Sequence, residues 1–101
     1  MSNQVTPQQA DVLIKEKNAV VIDIRDVNSF AQGCIEGAIR IDNSNFQAFI
    51  ESADKDKPII VCCYHGNSSQ PASQTVASFG FESYSLQGGM SAWALMVSSI
   101  K

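Results

Sequence analysis

The sequence has 101 residues, 45% hydrophobic and 17% charged, with a formal net charge of −3. That length suits one domain spanning 1–101, and the apolar share excludes global disorder. The negative balance argues against a nucleic-acid partner, and no apolar run approaches the ~18 residues of a membrane span. Met1-Ser2-Asn3-Gln4 lacks the basic and apolar regions of a signal peptide, so a cytoplasmic protein is expected. Charge is unevenly spread: from Pro58 onward only Glu82 and Lys101 carry any.

Thr6-Pro7-Gln8-Gln9 reads as a helix start, with Thr6 as N-cap, Pro7 as first helical residue and Gln9 completing a capping box. Ala10, Leu13 and Ile14 then recur at i, i+3, i+4, which predicts a helix to about Lys17. Ala19-Val20-Val21-Ile22 is a β-branched apolar run, read as a buried strand ending at Asp23-Ile24-Arg25. Asp26 caps a short helix through Ala31, closed by Gly33. Ala38–Ile41 predicts another short strand, and Phe46, Phe49 and Ile50 an amphipathic helix ending before Asp54. Ile59-Ile60-Val61-Cys62-Cys63 is unalternated, so it reads as a central strand buried on both faces.

A polar turn from Tyr64 to Ser69 leads into a helix that runs to about Phe79 and stops at Gly80; Pro71 falls in its first turn. Ser83–Leu86 is a last strand and Gly88-Gly89 a turn. Met90, Trp93, Met96, Val97 and Ile100 line a final helix. Strands alternating with helices imply a three-layer α/β domain, a mostly parallel central sheet flanked by helices.

The three cysteines, Cys34, Cys62 and Cys63, do not suggest a disulfide framework. Adjacent Cα atoms about 3.8 Å apart make Cys62 and Cys63 a poor internal bridge. One histidine and no C-x-x-C spacing leave too few ligands for structural zinc. Cys62 reads as core packing and Cys34 as structural or incidental.

Cys63 is different. It stands where a central strand gives way to a loop and a helix, and open α/β sheets bind ligands beyond the carboxyl ends of their strands. Such a turn can point backbone N–H groups inward, and the helix terminus adds partial positive charge. Both favour a thiolate nucleophile, although position alone is equally compatible with Cys63 packing as a small hydrophobe. A cysteine phosphatase would carry Arg six residues after its Cys; here that position is Ser69, so a phosphate dianion would be poorly neutralised.

Cys63-Tyr64-His65-Gly66-Asn67-Ser68-Ser69, preceded by a hydrophobic strand, resembles the active-site loop of the rhodanese family. Val21–Asp26, the Gly33-to-Ile39 segment and Leu86-Gln87-Gly88-Gly89-Met90-Ser91-Ala92-Trp93 agree with it in order and spacing. The resemblance spans most of the chain and implies a sulfurtransferase without metal or organic cofactor. It implies that Cys63 attacks thiosulfate, carries the sulfur as a persulfide, and passes it to cyanide or a small thiol. A thioredoxin-like dithiol protein is a reasonable acceptor on the same ground.

The resemblance also implies a substrate cradle from Tyr64, His65, Gly66, Asn67, Ser68 and Ser69, with the hydroxyls of Ser68 and Ser69 helping and Asn67 bracing the loop. Asp23 supports the site and Arg25 is its nearest candidate cation; a structural ion pair is the alternative for both. His65 is either a hydrogen-bonding residue or an exposed loop residue. Cys34 stands where many relatives carry His, in a segment that shapes a turn. Rival functions are a persulfide carrier fed by a partner enzyme and an inactive interaction module.

Overall fold

Ile59–Cys62 is a strand whose four side chains are all buried, and the molecule is layered around it. The structure is a computed structural model that describes residues 3–99. Its strands are Gln4–Val5 (β1), Val20–Asp23 (β2), Ile39–Arg40 (β3), Ile59–Cys62 (β4) and Ser83–Leu86 (β5). Its helices are Pro7–Lys17 (α1), Val27–Gln32 (α2), Phe46–Ser52 (α3), Ser69–Ala77 (α4) and Gly89–Ser99 (α5). The sheet is wholly parallel, in the order β1-β5-β4-β2-β3.

Strand alternation sorts the core into two layers. Val21, Ile60, Cys62 and Leu86 face α1 and α5, where Ala10, Leu13, Met90 and Trp93 meet them. Ile22, Ile59 and Val61 face the other way, onto Ile50 and Phe46 of α3 and Val76 of α4. A strand covered on both faces has no polar side to show, which is why β4 lacks alternation.

Local signals account for most element ends. The Thr6 hydroxyl accepts from Gln9 N–H (3.1 Å), and Gln9 Oε1 accepts from Thr6 N–H (2.9 Å), so the capping box is complete. Asp26 Oδ2 accepts from the amides of Asn28 and Ser29 at the start of α2.

Four expectations need correction. Strand β1 was not expected: two residues carry too little periodicity, yet Ser85 N–H donates to Asn3 O and Gln87 N–H to Val5 O (both 2.8 Å). β1 therefore covers the edge that β5 would otherwise expose. Gly33 ends α2 in extended backbone (φ 165°) and not in the left-handed cap expected of a helix-stopping glycine. Val97 is exposed on α5, whereas Met96 is buried; Ile100 lies outside the described residues. The central strand ends at Cys62, one residue early, because Cys63 already belongs to the turn.

From β4 the chain proceeds through α4 to β5 on one side, and from β2 through α2 to β3 on the other. The loops after β2 and β4 thus diverge at adjacent strands, the switch point at which such sheets bind ligands. Among the described residues, no helix is long and apolar enough to cross a membrane.

Candidate active site

Cys63 follows β4 directly and is buried. While Cys62 turns its thiol into the α1/α5 layer, the Cys63 sulfur turns toward α4. Two amide donors and one hydroxyl surround it. Gly66 N–H donates to Sγ (3.1 Å), Ser69 N–H does so from the first turn of α4 (3.3 Å), and Ser69 Oγ lies 3.2 Å away. Ser69 Oγ is also hydrogen-bonded to Ser85 Oγ of β5 at 2.6 Å, with both serines fully buried.

The amides reach inward because the outer side of the loop is held. The free amides at the start of α5 supply the grip: Met90 N–H donates to Cys63 O (2.8 Å) and Ser91 N–H to Tyr64 O (3.1 Å). Gln70 Nε2 donates to Gly66 O (2.9 Å) from the α4 side. Such an approach needs glycines. Gly66 sits at φ +89°, and a Cβ there would lie 2.7 Å from Gly88 N. Gly89 sits at φ +58°, and a Cβ there would run into Cys63 O and stand 2.6 Å from the Tyr64 carbonyl carbon.

The remaining predicted residues are spread around this centre. Tyr64 is 53% exposed and covers the Arg25 guanidinium, whose carbon is 5.8 Å from the ring centroid. His65 is exposed, with Nδ1 3.2 Å from Ser91 Oγ. Asn67 contributes its carbonyl, which accepts from Gln70 N–H (3.3 Å). Ser68 occupies the N-cap position of α4 without a side-chain cap bond, so of the two expected hydroxyls only Ser69 is recorded at the sulfur.

Arg25 is already engaged. Its Nε and Nη2 donate to both oxygens of fully buried Asp23, and Nη2 also donates to Gly33 O (2.7 Å). The hydrogen bonds to the Asp23 carboxylate thereby raise the Arg25 guanidinium pKa above its ordinary value. Arg25 thus walls a cleft of about 250 Å³ with Gly33, Tyr64, Met90, Ser91 and Ala94 beside the loop, and no hydrogen bond joins it to Sγ. Burial pushes the Cys62 thiol up to about 12, so it stays protonated. Cys34 is exposed on the loop after α2.

Ser85 carries no local motif, and Gly88-Gly89 has the signature of an ordinary turn, so neither is marked as part of the site by sequence alone. One signal was available. Ser83 and Ser85 put two hydroxyls on one face of an otherwise buried strand, and buried hydroxyls require partners. Both face α4: Ser83 pairs with Ser73 (2.8 Å) and Ser85 with Ser69.

Fold and site together define a class: a parallel α/β domain that presents one cysteine sulfur inside a loop of inward-turned amides. The chain belongs to the rhodanese-like domain family, whose family model matches residues 6–96. It is 52% identical over 91 residues to the thiosulfate sulfurtransferase GlpE of Ectopseudomonas mendocina, covering 89% of this chain and 83% of that protein. It is 49% identical over 82 residues to that of Shewanella oneidensis, covering 80% and 81%. Among solved structures, a rhodanese-related protein from Thermoplasma volcanium superposes with a TM-score of 0.76 at 26% identity, over 93% of this chain and 92% of that one. A larger thiosulfate sulfurtransferase from Pseudomonas aeruginosa shares the fold with a TM-score of 0.86 at 20% identity; the chain covers 19% of its length.

Proposed function

We propose that this chain is a rhodanese-type sulfurtransferase that takes sulfane sulfur from thiosulfate onto Cys63 and hands it to cyanide or a thiol. The observation that carries the reading is the Cys63 sulfur under the Gly66 and Ser69 amides and the Ser69 hydroxyl. The relatives named thiosulfate sulfurtransferase GlpE supply the donor.

In the first half-reaction the Cys63 thiolate attacks the outer sulfur of thiosulfate. A new S–S bond forms, the old one breaks, and its electron pair leaves with sulfite. The product is Cys63 persulfide, with negative charge on the outer sulfur. In the second, the acceptor attacks that outer sulfur, the Cys63 S–S bond breaks, and its electron pair returns to Sγ. No net proton is consumed with cyanide, and none of the steps requires a general base. Splitting the transfer in this way is covalent catalysis and predicts ping-pong kinetics.

The donors are neutral dipoles aimed at the sulfur, a fit to the modest charge of a thiolate or persulfide. Arg25 neutralises Asp23 and walls the cleft through which thiosulfate or a thiol acceptor, such as a small dithiol protein, approaches. A cytoplasmic location fits this use of free thiols. Mixing the protein with thiosulfate and cyanide should yield thiocyanate, and Cys63→Ser should reduce it to background. Normal turnover in that variant sinks the assignment. Persulfide formation with a cysteine desulfurase but not with thiosulfate would instead make it a carrier.

A further inference from the structure

The Ser69–Ser85 pair is a contact that neither half-reaction of the sulfur transfer uses directly. Ser85 is fixed by the sheet: it pairs with Val61 of β4 and Gln4 of β1, and its amide donates to Asn3 O. Its hydroxyl is fully buried, and the hydrogen bond recorded for it among the described residues is the one to Ser69 Oγ. Each hydroxyl has one proton, and a buried O–H without an acceptor is penalised. If Ser69 donated to Ser85, the Ser85 proton would be left without a recorded acceptor. The Cys63 thiol donates to Ser69 Oγ at 3.2 Å; once Cys63 is a thiolate that contact reverses, and with Ser85 donating to Ser69 the Ser69 proton goes to Sγ and both hydroxyls are satisfied.

We infer that Ser85 is a positioning residue for sulfur release: its hydroxyl donates to Ser69 Oγ and so commits the Ser69 hydroxyl to the Cys63 sulfur. The inference rests on the proposed role of Cys63. The two half-reactions differ in what Sγ becomes. When the persulfide is unloaded, the acceptor forms its bond to the outer sulfur, the S–S bond breaks, and Sγ receives the electron pair as the leaving thiolate. A donor held on Sγ strengthens as that charge develops and assists the step. In loading, Sγ begins as the anion and loses charge, so the same donor gives no assistance once the thiolate is formed. Hydrogen-bonded chains polarise one another, so Ser85 strengthens the Ser69 donor without touching sulfur.

The second serine pair supplies the control. Ser83 and Ser73 tie the same strand to the same helix, and neither is among the recorded hydrogen-bond partners of the Cys63 sulfur. Wild type, Ser85→Ala, Ser85→Thr and Ser83→Ala are loaded with thiosulfate, freed of excess donor, and mixed rapidly with cyanide. Ser85→Ala should release thiocyanate about tenfold more slowly, equivalent to ~1.4 kcal/mol of activation energy. Its loading rate at alkaline pH should change less than about threefold, under ~0.7 kcal/mol of activation energy. Ser85→Thr, which keeps the hydroxyl, should recover release, and Ser83→Ala should lose stability without slowing it.

Equal effects of Ser85→Ala and Ser83→Ala, or equal slowing of loading and release by Ser85→Ala, overturn the inference. Iodoacetamide alkylation of Cys63 against pH, read on the Cys63 peptide, separates this from failure of the transfer reading. Asp23, Arg25, Cys62, Tyr64 and His65, the titratable groups on the surrounding elements, are the same in every variant. An upward-shifted midpoint in Ser85→Ala alone supports the hydroxyl chain even in a protein that does not load from thiosulfate. An unshifted midpoint counts against it.

Discussion

At the scale of the residue, chemistry here is decided by atoms too small to announce themselves. Gly89 touches the carbonyls of Cys63 and Tyr64, and any Cβ would push the loop off α5. Gly89→Ala should therefore abolish activity and cost at least ~1–3 kcal/mol, the range for a non-glycine residue forced to positive φ. Gly33 gives the contrast: extended, with open space around its Cα, it should accept Ala within about ±0.5 kcal/mol in chemical denaturation, with turnover intact. Neighbouring Cys62 and Cys63 differ just as sharply. The buried Cys62 thiol titrates near 12 in the folded protein and about 9 when unfolded, so the unfolded chain releases its proton first. Folding stability should thus be intact below pH 9 and fall as pH rises toward 12, by up to ~1.4 kcal/mol per pH unit. Cys62→Ala should flatten that limb of a stability–pH curve; an unchanged slope would assign it to other groups.

At the scale of elements, each side of the sulfur site belongs to a different piece of secondary structure. β4 delivers Cys63, α4 supplies the Ser69 amide, α5 pins the loop carbonyls, and β5 places Ser85. α1 packs on α5, but no recorded hydrogen bond joins it to these groups, so its cap should matter to stability alone. Thr6→Ala removes the hydroxyl that accepts from Gln9 and should lower unfolding free energy by about 1 kcal/mol while leaving kcat unchanged. A matching loss of kcat would show that α1 is coupled to the loop through α5. The capping box was legible because both partners lie within one turn of chain. β1 was not legible, since two residues become a strand only where β5 offers them a partner.

At the scale of the whole molecule, the net charge of −3 sets the field that a thiosulfate dianion meets. Arg25 is neutralised by Asp23, and the donors at Sγ are amides and a hydroxyl, so no recorded cation at the sulfur opposes that repulsion. Raising ionic strength from about 0.01 to 0.15 M shortens the Debye length from ~30 to ~8 Å and should raise kcat/KM for thiosulfate modestly. A steep fall would mean that a cation drives binding. The sequence by itself determined the α/β alternation, the buried central strand, and Cys63 at its end followed by a loop poor in charge. These depend on hydrophobic periodicity and turn chemistry, which act between residues close in the chain. Only the tertiary structure decided which groups reach the sulfur, that Arg25 is spent on Asp23 and Gly33, and that Gly66 lies against the Gly88 backbone and Gly89 against the carbonyls of Cys63 and Tyr64. Those contacts join residues from different strands and helices, and sheet order and register, not local pattern, bring them within hydrogen-bonding distance.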